Sequence, residues 1–148
     1  MNIYDMKITH RQAKDLVKQI CKIILERNTD KDVIWTILVA TIFTAVEYGI
    51  YEVIEECILA YPNAVSASSE GFYLFHSAIC QRREQVYNLV YQIGSYKTFI
   101  ANYVDVETKE NALHIVAKLA PPQRLINING AALQMQRELQ WFKVIIVN

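Results

Sequence analysis

A recurring segment constrains the fold of this chain more than any other feature. Three ten-residue stretches of similar pattern begin at Ala40, Tyr73 and Asn111. The spacing from the first start to the second, about 33 residues, is a period typical of repeat proteins, in which each unit buries its apolar side only against the next unit. The third start comes later than this period predicts, which corresponds to an insertion of five in the second unit.

Apolar periodicity predicts that each recurring stretch is the first helix of a pair. The second helices carry apolar residues at the three- and four-residue spacing of one helix face. In the first pair these are Ile50, Val53, Ile54, Cys57 and Ile58, and in the second pair Val86, Leu89, Val90 and Ile93. In the third pair, a break at Pro121 and Pro122 precedes a long helix that begins at about Ala131. The predicted buried stripe of this helix is Ala132, Met135, Leu139 and Phe142, and Leu133 and Trp141 widen its apolar face.

Three positions recur within the ten-residue stretches. The pattern is an apolar residue, then histidine, then any residue, then alanine. Phe43 stands in place of the histidine in the first stretch, and Val116 stands in place of the alanine in the third. The apolar and histidine positions are Ile42, Phe75 and Leu113, then His76 and His114. This pattern resembles the T-P-L-H-x-A signature of ankyrin repeats, without its proline. We therefore predict an all-α ankyrin-repeat solenoid of about three helix-pair repeats, over residues 40–72, 73–110 and 111–143, with no β-sheet between residues 40 and 143.

An additional helix is predicted at the N-terminus, from Thr9 to Leu25. Its apolar residues are Leu16, Val17, Ile20, Ile23 and Ile24. Because an open repeat stack exposes an apolar face at each end, this helix is interpreted as the N-terminal cap or as the remnant of a fourth repeat. The predicted domains are residues 1–35, the cap helix and linker, and residues 36–148, the ankyrin-repeat domain.

Composition argues against several classes of partner and location. Fifteen basic and fifteen acidic residues balance, so nothing attracts the whole molecule to nucleic acid or to an anionic membrane. The longest uncharged run, from Val33 to Val46, is shorter than the roughly 20 residues that a membrane span needs, and we interpret the run as core. Three cysteines without a CxxC motif fit a reducing compartment, and the expected location is cytoplasmic.

The sequence predicts no catalytic site, metal site or cofactor. His76 and Cys80 could share a helix face, but no orienting third group or oxyanion site accompanies them. His76 and His114 are interpreted as structural residues of the repeat, with His76 hydrogen-bonded to loop backbone. Glu52, Glu55 and Glu56 are interpreted as a solvated helix face.

The run from Gly130 to Phe142, with Ala117 to Pro121 before it, resembles plant ankyrin-repeat membrane proteins of the accelerated-cell-death type, which carry a C-terminal PGG transmembrane domain. The stretches Ile50 to Pro62 and Gln81 to Glu84 match this family more loosely. The resemblance implies a cytosolic ankyrin region tethered to membrane helices, at the cytosolic face of the plasma membrane, that acts in defence or stress signalling through protein contacts.

Two departures from the family pattern carry expectations. The family continues after Lys143 with an acidic stretch and membrane spans, whereas this chain ends at Asn148, so no membrane span is expected in it. Lys109 stands where the family has glycine before the third repeat, and a positive φ there would strain the lysine backbone.

The function predicted from the sequence is a protein-interaction module, and the alternative is a truncated structural remnant without independent activity. The repeat register places a few side chains of each first helix, together with the loop tips, on a common partner-binding surface. These predicted partner residues are Thr44, Glu47, Tyr48, Glu70, Phe72, Ser77, Gln81, Lys109, Glu110, Ile115 and Lys118.

Overall fold

The computed structural model describes residues 3–26, 30–69, 71–94, 98, 102–105, 108–125 and 130–147. The described residues are mostly helical, with almost no strand, so the prediction of an all-α chain is confirmed at this level. The chain divides into two units, Met1–Ala67 and Ser68–Asn148.

The first unit consists of three α-helices and a short 3-10 helix. They are α1 (Ile3–Glu26), α2 (Lys31–Tyr48), α3 (Tyr51–Ala60) and the 3-10 helix Pro62–Ser66. Helix α3 packs against both α1 and α2. Ile42 and Val46 of α2 and Ile54 of α3 are completely buried, so the packed face of α3 forms the core of this unit.

The second unit begins with a hairpin and continues with short helices. Its elements among the described residues are β1 (Ser68–Ser69), β2 (Phe72–Tyr73), α4 (Leu74–Cys80), α5 (Glu84–Asn88), the 3-10 helix Leu89–Gln92, α6 (Ala112–Ala117), α7 (Pro122–Leu125) and α8 (Ala131–Val147). Helix α6 packs against both α4 and α8. Phe75 and Ile79 of α4, Val116 of α6 and Trp141 of α8 are buried, so this unit has a core of its own.

Two helix ends that lie one predicted period apart close in the same way. Gly49 caps α2 and has a φ of +76°, and the chain leaves α4 through Arg82, where φ is +53°. At both ends the next amide donates a hydrogen bond to the carbonyl five residues earlier, a pattern that closes a helix through a left-handed residue. The two bonds are Ile50 N to Ala45 O at 2.8 Å and Arg83 N to Ala78 O at 2.9 Å.

The loops before α4 and α6 also share a left-handed residue. Gly71 precedes α4 and has a φ of +81°, and Lys109 precedes α6 and has a φ of +59°. Because α4 begins at Leu74 and α6 begins at Ala112, each left-handed residue stands at the same distance from its helix. The expected positive φ at Lys109 is therefore confirmed. The turn at the end of α6 differs, because Lys118 caps this helix with an extended backbone.

Two helices begin earlier than the sequence pattern predicts. Helix α1 starts at Ile3 and not at Thr9, and α2 starts at Lys31. The carboxylate of Asp30 accepts the amide of Asp32 at 3.0 Å and caps the start of α2. The predicted domain boundary between residues 35 and 36 is therefore wrong, since it falls inside a continuous helix.

The expectation of no β-sheet between residues 40 and 143 is wrong at one place. Ser68 pairs with Tyr73, and Ser69 pairs with Phe72, in a two-stranded antiparallel hairpin. The left-handed backbone of Gly71 allows the tight reversal between the strands.

The predicted buried stripe of α8 is also wrong. Met135 is 61% exposed and Leu139 is 54% exposed, as is Leu133 at 57%, whereas Trp141 and Ile145 are buried. The rotation of α8 is set by polar contacts on the Trp141 side. The indole Nε1 of Trp141 donates to the carbonyl of Ile79 at 3.3 Å, and Glu138, one turn earlier on α8, forms an ion pair with Arg82.

Arg82 joins three helices of the second unit. Its guanidinium forms an ion pair with Glu138 of α8, with Nη2 2.7 Å from Oε2. Nη1 donates to the carbonyl of Ile79 at the end of α4 (2.9 Å), and Nη2 donates to the carbonyl of Lys118 after α6 (2.5 Å). Its side chain is only 9% exposed. Positive charge is favourable at helix C-termini, where carbonyls lack intrahelical partners, so Arg82 satisfies two helix ends at once.

We predict that Arg82→Ala lowers the free energy of unfolding by about 3 kcal/mol, because it leaves Glu138 and several carbonyls without a buried cation. Alanine keeps the backbone penalty of a positive φ, so the change reports on the side chain alone. Urea denaturation of Arg82→Ala, Glu138→Ala and the double variant would measure the coupling, which we expect to be about 1–3 kcal/mol. Fully additive effects would show that the ion pair does not hold α8 in place.

A second prediction concerns Lys109. Replacing Lys109 with glycine relieves the strain of the left-handed backbone, about 1–2 kcal/mol. This gain exceeds the entropy cost of the added glycine, about 0.5–1 kcal/mol. We therefore expect Lys109→Gly to raise Tm by about 1–2 °C. Lys109→Ala is the matched control, because it removes the same side chain and keeps the strain. A Tm for Lys109→Gly that is equal to or below the value for the unaltered chain would contradict this interpretation of the loop.

Candidate interaction surfaces

The predicted partner residues are divided between the two units. Thr44, Glu47 and Tyr48 lie in the first unit, on the last turns of α2, and all three are exposed. Their spacing places them on one side of the helix. Tyr48 is 67% exposed, and such an exposed aromatic side chain is the kind of residue that often anchors a protein interface.

The remaining predicted partner residues belong to the second unit, except Glu70, which lies outside the described residues. Ser77 of α4, Gln81, which caps α4, and Phe72 of β2 are half-buried, while Lys109 is exposed. Glu110 and Lys118 are brought together, since Lys118 Nζ lies 2.6 Å from Glu110 Oε2.

The expectation that Ile115 faces a partner is wrong. Ile115 is 4% exposed and belongs to the core of the second unit. Helix α6 has only six residues and packs between α4 and α8, so its apolar positions are covered from two sides. Lys118 follows the end of α6 and is exposed.

The two signature histidines have different environments. His76 is 1% exposed, and its ring packs edge-on against Tyr103 with a centroid distance of 5.0 Å. Its expected hydrogen bond to loop backbone stays a prediction. His114 is exposed and takes part in a capping box with Asn111, whose side-chain oxygen accepts the amides of Leu113 (3.0 Å) and His114 (3.1 Å). His114 therefore stabilises the start of α6.

The loop before α6 is organised by Asp105. Its amide donates to the carbonyl of Glu110 at 2.8 Å, and its carbonyl accepts the amide of Lys109 at 3.0 Å. One carboxylate oxygen accepts both the amide and the hydroxyl of Thr108, at 2.6 and 2.9 Å. These bonds present Lys109 and Glu110 in a defined conformation, as a recognition loop requires.

A groove in the first unit was not foreseen from the sequence. It has a volume of about 290 Å³ and lies between α1, α2 and α3. Almost all its lining side chains are apolar, with Thr41 and Tyr61 as the polar members. The other lining residues are Val17, Ile20, Cys21, Ile24, Ile34, Ile37, Leu38, Val53 and Cys57.

Large apolar side chains of α1 and α2 stay exposed to solvent, and two of them, Ile20 and Ile37, line this groove. Their exposed fractions range from 40% to 57%. They are Leu16, Ile20 and Ile23 of α1 and Val33, Trp35 and Ile37 of α2. The interpretation of the run from Val33 to Val46 as core is therefore wrong for its first half. The sequence did contain a signal, because the apolar face of α1 is wider than one neighbouring helix can cover.

The interpretation of the α3 glutamates as a solvated face is also incorrect. Glu56 is 6% exposed, and Glu52 and Glu55 are half-buried. Helix α1 packs against α3. Lys14 Nζ lies 2.6 Å from Glu55 Oε2 and 3.6 Å from Glu56 Oε1. The hydrogen bond to Glu55 raises the pKa of the Lys14 ammonium. This ion pair joins α1 to α3.

Two cysteines line the groove at the contact of α1 and α3. Cys21 is 8% exposed and Cys57 is 3% exposed. Burial, followed by the charge of Cys21, raises the pKa of the Cys57 thiol to about 12. Burial likewise raises the pKa of Cys21. Because the thiolate is the nucleophile, we expect these cysteines to react slowly in the folded protein.

We predict that iodoacetamide at about pH 8 modifies Cys21 and Cys57 at least about tenfold more slowly in the folded chain than in urea, because the thiols are buried and protonated. Mass spectrometry of tryptic peptides would follow each cysteine separately, with Cys80, which is half-buried in the second unit, as the internal comparison. Equal rates in the folded and unfolded chain would show that α1 does not cover α3 in solution.

Comparisons with known proteins leave the family undetermined. No family model, curated protein or solved structure matches this chain. Among the described helices, none is both long and apolar enough to cross a membrane. The part of the chain that the structure describes also contains no group of three or more His, Cys, Asp or Glu side chains placed to hold a metal ion.

Proposed function

We propose that this chain is a protein-interaction module of the ankyrin-repeat type, and that it binds a protein partner and has no catalytic role. The observation that carries the proposal is the recurrence of the same helix-closing hydrogen bond and left-handed residue at Gly49 and Arg82, one repeat period apart. Repeat proteins of this period use a scaffold of paired helices to present side chains to another protein.

The loops support the same proposal. The positive φ values of Gly71 and Lys109 recur before α4 and α6, and the hairpin Ser68–Tyr73 projects directly before α4. Loops held by a rigid helical scaffold are common recognition elements. Phe72, Lys109 and Glu110 lie in these loops and are the loop residues proposed to meet the partner.

The apolar groove of the first unit fits an open repeat scaffold. A repeat stack leaves an apolar face wherever a neighbouring unit does not cover it. The groove, with its exposed side chains Ile20 and Ile37, is proposed to be a face of this kind, since exposed apolar patches on proteins mark interaction sites.

The resemblance of Gly130 to Phe142 to plant proteins of the accelerated-cell-death type supplies the biological part of the proposal. On that basis the module is the cytosolic ankyrin region of a plant defence or stress signalling protein, held at the plasma membrane by a membrane domain of the full-length protein. The balanced charge of the chain agrees with a protein partner and not with nucleic acid.

Partner binding is tested with Tyr48→Ala combined with Gln81→Ala, which truncates one predicted contact in each unit. We expect at least about a tenfold loss of affinity, because exposed aromatic residues are frequent anchors of interfaces. The measurement is affinity capture from plant extract, followed by reconstitution with the purified partner and titration. Gln12→Ala, an exposed residue of α1 outside the predicted surface, is the matched control.

The expected pattern is a partner that is held equally by the unaltered chain and the control and is lost by the double variant, with unchanged helical circular dichroism. Unaltered affinity in the double variant would remove these residues from the partner surface.

Gel filtration and dye binding on the unaltered chain address the alternative of a structural remnant. A monomer with little dye binding supports a folded module, and large aggregates with strong dye binding support the remnant.

A further inference from the structure

The groove between α1, α2 and α3 carries no charge on any of the described residues that line it. Its volume of about 290 Å³ is at the small end of the range for ligand sites. Apart from Thr41 and Tyr61, every lining side chain is a hydrocarbon or a thiol. Because a charge buried without a partner is costly, a groove of this composition is complementary to a neutral ligand.

The polar groups of the groove are accounted for, with one exception. The thiols of Cys21 and Cys57 stay protonated, since burial raises the pKa of both. The hydroxyl of Thr41 donates to the carbonyl of Ile37 at 2.8 Å. The exception is Tyr61, whose hydroxyl is buried and has no hydrogen-bond partner within the part of the chain that the structure describes. Burial also raises the pKa of Tyr61, so this hydroxyl keeps the proton that it can donate.

A hydroxyl that is shielded from water and unpartnered is unfavourable until an acceptor meets it. Tyr61 follows α3 as its C-cap, and it lines both the groove and a second pocket, which share Ile34 and Leu38 as well. The side chain therefore has space on two sides, and a turn of its ring brings the hydroxyl to an oxygen atom in the groove. An apolar cavity with one placed donor is the usual composition of a small-molecule site.

We propose that this groove binds a neutral, largely apolar small molecule that carries one hydrogen-bond acceptor, such as a ketone or ester oxygen, and that the Tyr61 hydroxyl donates to this acceptor. The site goes beyond the protein partner proposed above and does not depend on it, since Tyr48 and Gln81 do not line the groove.

Titration of the full chain with 2-acetylnaphthalene tests the site, because this probe joins an apolar ring system to a single ketone oxygen. NMR of the isoleucine methyl groups reports where the probe binds. Ile146, an exposed isoleucine of α8, is the internal comparison and should not shift. We expect saturable shifts at the isoleucines that line the groove, which are Ile20, Ile24, Ile34 and Ile37.

Tyr61→Phe tests the hydrogen bond, because it removes the hydroxyl and keeps the ring. We expect it to weaken the binding of 2-acetylnaphthalene by about three- to tenfold, the contribution of one neutral hydrogen bond. The affinity for 2-ethylnaphthalene, which has the same ring system without the acceptor, should not change. The anion 2-naphthoate should bind the unaltered chain at least about tenfold more weakly than the ketone, since no cation lines the groove to pair with it.

Thr41→Trp tests the place of binding, because it adds a large ring at an exposed position that lines the groove. Thr36→Trp is the matched control. Thr36 is also an exposed threonine of α2 that donates to the carbonyl four residues earlier, but it does not line the groove. Binding should be lost in Thr41→Trp and kept in Thr36→Trp, with unchanged circular dichroism. If Thr41→Trp loses its fold, Tyr61→Phe decides alone.

An absence of saturable shifts would overturn the proposal, as would shifts at Ile146 as large as those of the groove isoleucines. A Tyr61→Phe effect that is absent for the ketone, or equal for the ketone and the hydrocarbon, would also overturn it. That result would assign the groove to plain apolar contact, as with a side chain of a protein partner, and would leave the partner surface at Tyr48 and Gln81 untouched.

Discussion

The guanidinium of Arg82 is the contact on which the second unit most depends. It lies 2.7 Å from the carboxylate of Glu138 and donates to a carbonyl in the last turn of α4 and to one after α6. The helices that it joins are only six to seven residues long, except α8, and helices of that length are not stable alone in water. A buried cation that satisfies the ends of two short helices and also pairs with a third helix compensates for their small apolar faces.

The same contact explains the orientation of α8. Because Glu138 must reach Arg82 and the Trp141 indole must reach Ile79, the opposite face of α8, with Met135 and Leu139, is turned to solvent. One long-range ion pair thus contributes to which side chains of α8 are packed and which are exposed.

The sequence was sufficient for features that depend on near neighbours along the chain. Periodicity located α3 and α4, and Tyr61 with Pro62 marked the end of α3 at Ala60. It was insufficient where a helix has more apolar residues than one neighbour can cover, as in α1 and α8, because periodicity identifies an apolar stripe and not the surface that covers it. Ion pairs between residues far apart in the chain contribute to which face of each helix is packed. These pairs are Lys14 with Glu55 for α1 and Arg82 with Glu138 for α8.

The four residues with a positive φ before and after these helices differ in what the left-handed backbone costs them. Gly49 and Gly71 adopt positive φ without penalty, whereas their equivalents Arg82 and Lys109 carry side chains that disfavour it. At Arg82 the strain is compensated, because only a long cationic side chain at that position reaches Glu138 and the carbonyls of two helices. Lys109 is exposed and has no comparable network among the described residues. A left-handed arginine is therefore a structural requirement of this unit, while a left-handed lysine is a departure from the repeat that the fold tolerates.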